Sequence, residues 1–247
     1  MMDTFKKDFR RALVVLVIPI ALQNLVASAV GAADIIMLGA VSQSVMAAVS
    51  LANQITFIIM LFFTGLSIGA GILVAQYWGK GDLTIIERVL NIACGFAAII
   101  SLVFFAASFF LPDALMSVFT NDADLIRYGA RYQQIIGFSY LFTGLAQVYL
   151  AVARSMERVR FSATVSSGGL VLNIIFNAIC IFVLFPGNLY AAIMGVAAAT
   201  VVVRLVELAV CVIYSLCGSN IRFRLPGFDE KQKCIAYAEL ALFTASI

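Results

Sequence analysis

The sequence predicts an all-α polytopic membrane protein, a bundle of six transmembrane helices, and two observations carry that prediction. The first is composition: 63% of the 247 residues are hydrophobic and only 12% are charged, about half the charged share of an ordinary soluble domain. A soluble fold of this size leaves too much surface in water to hide that many apolar groups. The second is the placement of charge. None occurs between Arg11 and Asp34, between Asp34 and Lys80, from Val89 to Pro112, from Tyr132 to Ala153, or from Phe161 to Val203. A membrane span needs about 20 apolar residues, rising about 1.5 Å each.

Taken in chain order, these stretches resolve into six spans. The run ending at Lys80 is too long for one helix and turns at Gly39-Ala-Val-Ser-Gln-Ser44. The run from Phe161 splits at Phe185-Pro-Gly-Asn188, a strong helix breaker. The predicted spans are 12–38, 45–77, 85–111, 124–153, 162–185 and 190–216, together forming a transmembrane lobe over residues 1–217. The N-terminus is short, polar and basic and runs directly into apolar sequence. Ala27-Ser28-Ala29 has the look of a signal-peptidase site, but the apolar stretch before it is long enough to span, so it reads as a retained first helix. Residues 218–235 read as a cytoplasmic loop, and 236–247 as the truncated start of a seventh helix.

The basic residues alternate from side to side. Lys6, Lys7, Arg10 and Arg11 precede the first span, Lys80 and Arg88 lie between the second and third, and Arg154, Arg158 and Arg160 between the fourth and fifth. Arg222, Arg224, Lys231 and Lys233 follow the sixth, while the intervening connections have no Lys or Arg beyond Arg127 and Arg131 in the first turns of the fourth span. By the positive-inside rule, both ends lie in the cytoplasm, and the expected location is the cell (inner or plasma) membrane.

Catalytic classes find no support. The chain has no histidine, and so lacks the most versatile acid–base group and the commonest metal ligand. Its cysteines, Cys94, Cys180, Cys211, Cys217 and Cys234, are odd in number and form no CxxC pair; they read as small buried hydrophobes. There is no Gly-rich phosphate loop and no paired-carboxylate arrangement. The expectation is a protein that is not an enzyme, needs no cofactor, and meets a lipid bilayer rather than nucleic acid.

Polar groups within the spans are the candidates for function, since charges and amides in hydrocarbon face other helices or water-filled cavities. In the first span Gln23, Ala27, Gly31 and Asp34 share one face. Asp34 is the one acid of the first two spans; it either holds a coupling proton or cation within the membrane or caps the outer mouth. The fifth span aligns Ser166, Leu170, Asn173 and Asn177, an amide pair suited to a site or to gluing helices together. The sixth places Thr200, Arg204 and Glu207 at spacings of four and three, so the two charges can pair within the helix. In the second span, Asn53 and Gln54 are candidates for lining a substrate cleft, with Gln23 and Asn24 of the first. Gly65-Leu-Ser-Ile-Gly69 is a small-xxx-small packing motif.

Several strings carry a family resemblance. They are Ile18-Pro-Ile-Ala-Leu-Gln-Asn24, Ala33-Asp-Ile-Ile-Met-Leu-Gly39, Leu51-Ala-Asn-Gln-Ile55, Gly65 through Asp82, Leu172-Asn-Ile-Ile-Phe-Asn177 and Gly195 through Arg204. In this order they resemble the multidrug and toxic compound extrusion (MATE) transporters, twelve-helix exporters built from two six-helix lobes. The chain is similar to the N-terminal lobe. The resemblance implies a secondary antiporter of amphipathic or cationic organic compounds, driven by a proton (H+) or sodium (Na+) gradient. It further implies a cation or proton site of Asp34, Asn173, Asn177 and Thr200, and a missing C-terminal lobe or a second copy of the chain as partner. Asn177 stands where some relatives have an acid, Arg154 to Arg160 lack the Gly and Pro often seen before the fifth helix, and Phe243 replaces a usual proline. The alternatives are a lipid-linked saccharide or lipid flippase of the same superfamily, a channel or receptor-like bundle, and an inactive truncated lobe.

Overall fold

A computed structural model describes residues 43–185 and 189–217, with isolated positions 18, 21 and 25. The first span and its candidates Gln23, Asn24 and Asp34, like the segment after 217, lie outside the described residues. The rest is helical, with no strand among the described residues. The helices are α1 (Gln43–Lys80), α2 (Leu83–Phe110), a short α3 (Pro112–Ser117), α4 (Ala123–Ser155), α5 (Val159–Ile179) and α6 (Leu189–Cys217), and α5 continues into a π-helical segment, Cys180–Leu184. Among the described residues, five helices are long and apolar enough to cross a membrane. At 38 residues α1 is about 57 Å long and projects beyond a hydrocarbon layer about 30 Å thick.

The turns have local causes. Gly81 takes a positive φ of 75° and ends α1, where an L side chain would be strained. Asp82 then caps α2, its carboxylate accepting from the Ile85 backbone N–H at 3.2 Å. Pro112 opens α3, where its missing N–H costs nothing. Asp122 caps α4 by accepting from the N–H groups of Asp124 and Leu125. The α4–α5 turn is made without glycine: Glu157 sits at φ 63°, and the Arg158 N–H donates to the Ala153 carbonyl at 2.9 Å, closing the helix end.

α4 is the central helix, packing on α1, α2 and α6. In its most apolar window 67% of residues are buried, against 17% for α5 and its π extension. Small residues allow the close packing. Gly144 leaves room for the Phe63 ring and the Ser101 hydroxyl, and Gly129 for Met116. Large apolar side chains such as Phe57, Leu61, Phe62, Leu102, Val103 and Phe110 point outward, as they do where lipid is the solvent.

α5 is joined to α6 at successive levels. Near its start, Phe161 stacks on Tyr214 with ring centroids 3.8 Å apart, and Arg158 Nη1 donates to the Tyr214 hydroxyl at 2.7 Å. One level on, Gly169 receives the Glu207 carboxylate. At the far end, Gly195 faces Cys180 and the Phe185 ring, each about 3.2 Å from where a Cβ would stand.

Candidate functional site

The polar stripes predicted on the fifth and sixth spans meet between α5 and α6. Asn177 Nδ2 donates to Asn173 Oδ1 at 3.1 Å, and Asn173 Nδ2 donates to Thr200 Oγ1, also at 3.1 Å. The Thr200 hydroxyl donates in turn to the Val196 carbonyl at 3.1 Å. The chain of donors is therefore directional, and Thr200 accepts from Asn173 because its own proton is already committed to the backbone. Asn177 is 1% exposed; Asn173 and Thr200 are half-buried. The set consists of neutral oxygens and amides. Such oxygens can contribute to a shell around a hard cation, but without a carboxylate they offer no charge to hold it. The π-helical segment begins three residues after Asn177, a departure from α-helix often found at functional sites.

One turn beyond Thr200, Arg204 Nη1 donates to Glu207 Oε2 at 2.7 Å. This is the pair expected from their spacing. The pair is unequally covered: the Glu207 side chain is 7% exposed and that of Arg204 is 30% exposed. Of the cleft candidates in the second span, Asn53 and Gln54 are both exposed on α1, and the Tyr132 hydroxyl approaches Asn53 Oδ1 at 3.5 Å. They are not brought to the Asn173–Thr200 contact. Among the described residues no group of three or more His, Cys, Asp or Glu could hold a metal ion.

Sequence reasoning missed a second polar cluster. Gln133, fully buried, donates through Nε2 to Ser108 Oγ and to the Tyr140 hydroxyl, both at 2.9 Å, and Tyr140 meets Thr56 Oγ1 at 2.9 Å. The cluster ties α4 to α1 and α2. Its signal was the seven-residue spacing of Gln133 and Tyr140, which puts both on one face of the fourth span. It also missed an apolar recess of about 710 Å³ bordered by Ile135, Phe176, Cys180, Phe185 and Met194.

Membrane-length helices with amides and a charge pair held between two of them mark a membrane bundle with a polar interior, and the comparison with known families narrows it further. The MatE family model matches residues 19–179. The chain belongs to the MatE family. Among curated MatE relatives it is similar to the uncharacterized transporter YisQ of Bacillus subtilis, 27% identical over 74% of this chain and 40% of the relative. It is also similar to the multidrug resistance protein PmpM of Pseudomonas aeruginosa, 28% identical over 70% of this chain and 36% of the relative. A third is the probable multidrug resistance protein NorM of Thermotoga maritima, 28% identical over 81% and 43%. Of solved structures, a MOP superfamily transporter from Pyrococcus furiosus superposes with a TM-score of 0.83 at 18% identity, covering 95% of this chain and 51% of that one. MATE in complex with MaD3S gives 0.82 at 18%, covering 95% and 53%. The chain thus spans less than half the length of these curated relatives and about half that of the solved structures. Members of this family are membrane transporters.

Proposed function

We propose that this chain is one lobe of a secondary exporter in the cell membrane that moves amphipathic or cationic organic compounds outward in exchange for protons or sodium. The observation that carries the reading is the directional Asn177–Asn173–Thr200 chain between two adjacent membrane helices, in a MatE family member whose relative PmpM is named a multidrug resistance protein. Asp34 supplies the charge that this neutral set lacks. Protonation of Asp34, or a cation bound there, alters what the amides are asked to stabilise, and α5 and α6 repack in response. A second six-helix lobe or a second copy of the chain forms the other wall of the cleft. By the placement of Lys80, Arg154, Arg158 and Arg160, the ends of α1, α4 and α6 face the cytoplasm.

Of the alternatives, a lipid-linked saccharide or lipid flippase needs several basic groups in its cleft to hold a pyrophosphate. Among the described residues Arg204 is the one base at mid-span, fewer than a pyrophosphate needs. The proposal is tested by ethidium efflux from cells expressing the full-length protein. Efflux is expected to stop when the proton and sodium gradients are both collapsed, and to fall at least tenfold in Asp34→Asn. Asn173→Ala is expected to reduce it several-fold. Wild-type efflux rates in both variants would remove the coupling role.

A further inference from the structure

The Arg204–Glu207 pair is more than a neutralised charge. Arg204 lies at the middle of α6, a 29-residue helix. At about 1.5 Å per residue, that position is roughly 20 Å from either end of the helix, or about 15 Å from either edge of a hydrocarbon layer centred on it. An arginine side chain reaches about half that far, so its head cannot snorkel to a headgroup. A charge at this depth faces protein or a water-filled cavity.

A guanidinium carries five N–H donors. One bond, from Nη1 to Glu207 Oε2, is made at 2.7 Å; among the described residues the others meet no acceptor. The partner acid is buried against Gly169, while the Arg204 side chain remains 30% exposed. The pair is therefore unequally covered: the carboxylate is packed against Gly169 in the α5–α6 contact, while part of the guanidinium side chain stays uncovered. Thr200 precedes Arg204 by four residues, so Arg204 stems from the same stripe of α6 as Thr200, one turn away. Glu207 is also the one acid at mid-span among the described residues, and it is occupied.

We propose that Arg204 is an anion-recognising group of the substrate site, so that the compounds this transporter selects include amphiphiles bearing a carboxylate. The unused N–H groups form a planar fork that matches the two oxygens of a carboxylate. Glu207 acts as a positioning residue. It fixes the guanidinium by one corner and orients the free edge, and Gly169 gives it the room to do so. The inference rests on the transport reading above and narrows its substrate class.

The test is binding of rhodamine B, which has a free carboxylate, and of its ethyl ester, which does not, to the full-length protein in lipid nanodiscs, followed by fluorescence anisotropy. Wild type is expected to bind the acid about tenfold more tightly than the ester, the scale of one charge-assisted hydrogen-bonded contact. Arg204→Gln is expected to erase that preference with the ester's affinity unchanged. Glu207→Gln removes the carboxylate charge but keeps an amide oxygen for Arg204 to donate to, and is expected to retain most of the preference. Should Arg204→Gln fail to fold, the double variant Arg204→Gln with Glu207→Gln leaves no lone buried charge, and it is expected to lose the preference in the same way. Equal affinity of wild type for the two dyes, or parallel loss of both dyes in Arg204→Gln and Glu207→Gln, would overturn the proposal and leave the pair a structural one. If wild type bound neither dye, the inference would fall, and ethidium efflux measured alongside would show whether the exporter reading fell with it.

Discussion

Replacing Gly169 by alanine tests how tightly the α5–α6 contact is drawn. A Cβ at this position would overlap the Glu207 carboxylate, with Glu207 Cδ at 2.7 Å and Cγ at 3.0 Å. Glutamate is flexible, and on an exposed surface it would swing aside at little cost. Here it cannot do so freely, because it is held at 2.7 Å by Arg204 and its side chain is 7% exposed. Two responses remain. Glu207 gives up Arg204, stranding two charges at mid-membrane, or α5 moves away from α6. Overpacking of this kind costs about 1–3 kcal/mol. The second response also damages the site, since Asn173 follows Gly169 by one turn and its 3.1 Å bond to Thr200 tolerates only a few tenths of an ångström before it is lost. The expected outcome for Gly169→Ala is destabilisation by about 2 kcal/mol, a fall in melting temperature of roughly 5 °C for a chain of this size, with loss of ethidium efflux. Thermal unfolding in detergent, read by the fluorescence of the single tryptophan Trp78, measures the first. Adding Arg204→Ala and Glu207→Ala together, which removes the obstacle and both charges, is expected to restore the stability. A Gly169→Ala protein as stable and as active as wild type would refute the reasoning.

Two other substitutions are informative because their expected sign runs against intuition. Gln133→Leu removes two buried hydrogen bonds, worth about 0.6 kcal/mol each inside membrane proteins, but it also removes Oε1, which has no partner among the described residues, at a burial cost of about 1–3 kcal/mol. Its stability is expected within about 1 kcal/mol of wild type in a denaturing-detergent titration; a loss above about 2 kcal/mol would show that Oε1 is satisfied. Glu157→Gly relieves a left-handed residue in the α4–α5 turn and is expected to stabilise by about 1 kcal/mol in the same titration; destabilisation would mean that the Glu157 side chain contributes more than its backbone strain costs.

The helices were legible because hydrocarbon imposes a length and a charge rule on any segment that crosses it. The pairing of Arg204 with Glu207 was legible for a similar reason, since a three-residue spacing brings two side chains together whatever the rest of the fold does. The Asn173 to Thr200 bond followed from no spacing and was anticipated only through the family resemblance, because it depends on the rotation of two helices about their own axes. Each span displayed its polar stripe, but whether the stripes face one another is decided by Gly169, Gly195 and the Phe161–Tyr214 stack, whose partners lie far away in sequence. The Gln133 cluster needs three helices to meet and was missed for that reason. The π-helical segment has no periodicity signal at all: it accommodates one extra residue per turn, and Cys180–Leu184 reads as ordinary apolar helix. Glu157 likewise carries none of the glycine chemistry that marks a helix end.

Burial distinguishes α5, which carries the proposed site, from α4. Displacing α4 would expose residues drawn from contacts with α1, α2 and α6 together, including the Phe63–Gly144 contact and the Gln133 cluster. Among the described residues, α5 is held mainly by α6, through a ring stack, a glycine contact, one amide-to-hydroxyl bond and the packing of Cys180 on Gly195. Each is a local contact that can reform after a small rotation, and with 17% of its window buried the helix has the least apolar contact to give up. The π-helical turn adds to this, because a segment already out of α-helical register can shift that register without breaking a continuous hydrogen-bond ladder. On the proposed coupling, a change of charge near Asn173 acts on the most weakly anchored described span, where a difference of a few kcal/mol is enough to choose between two packings.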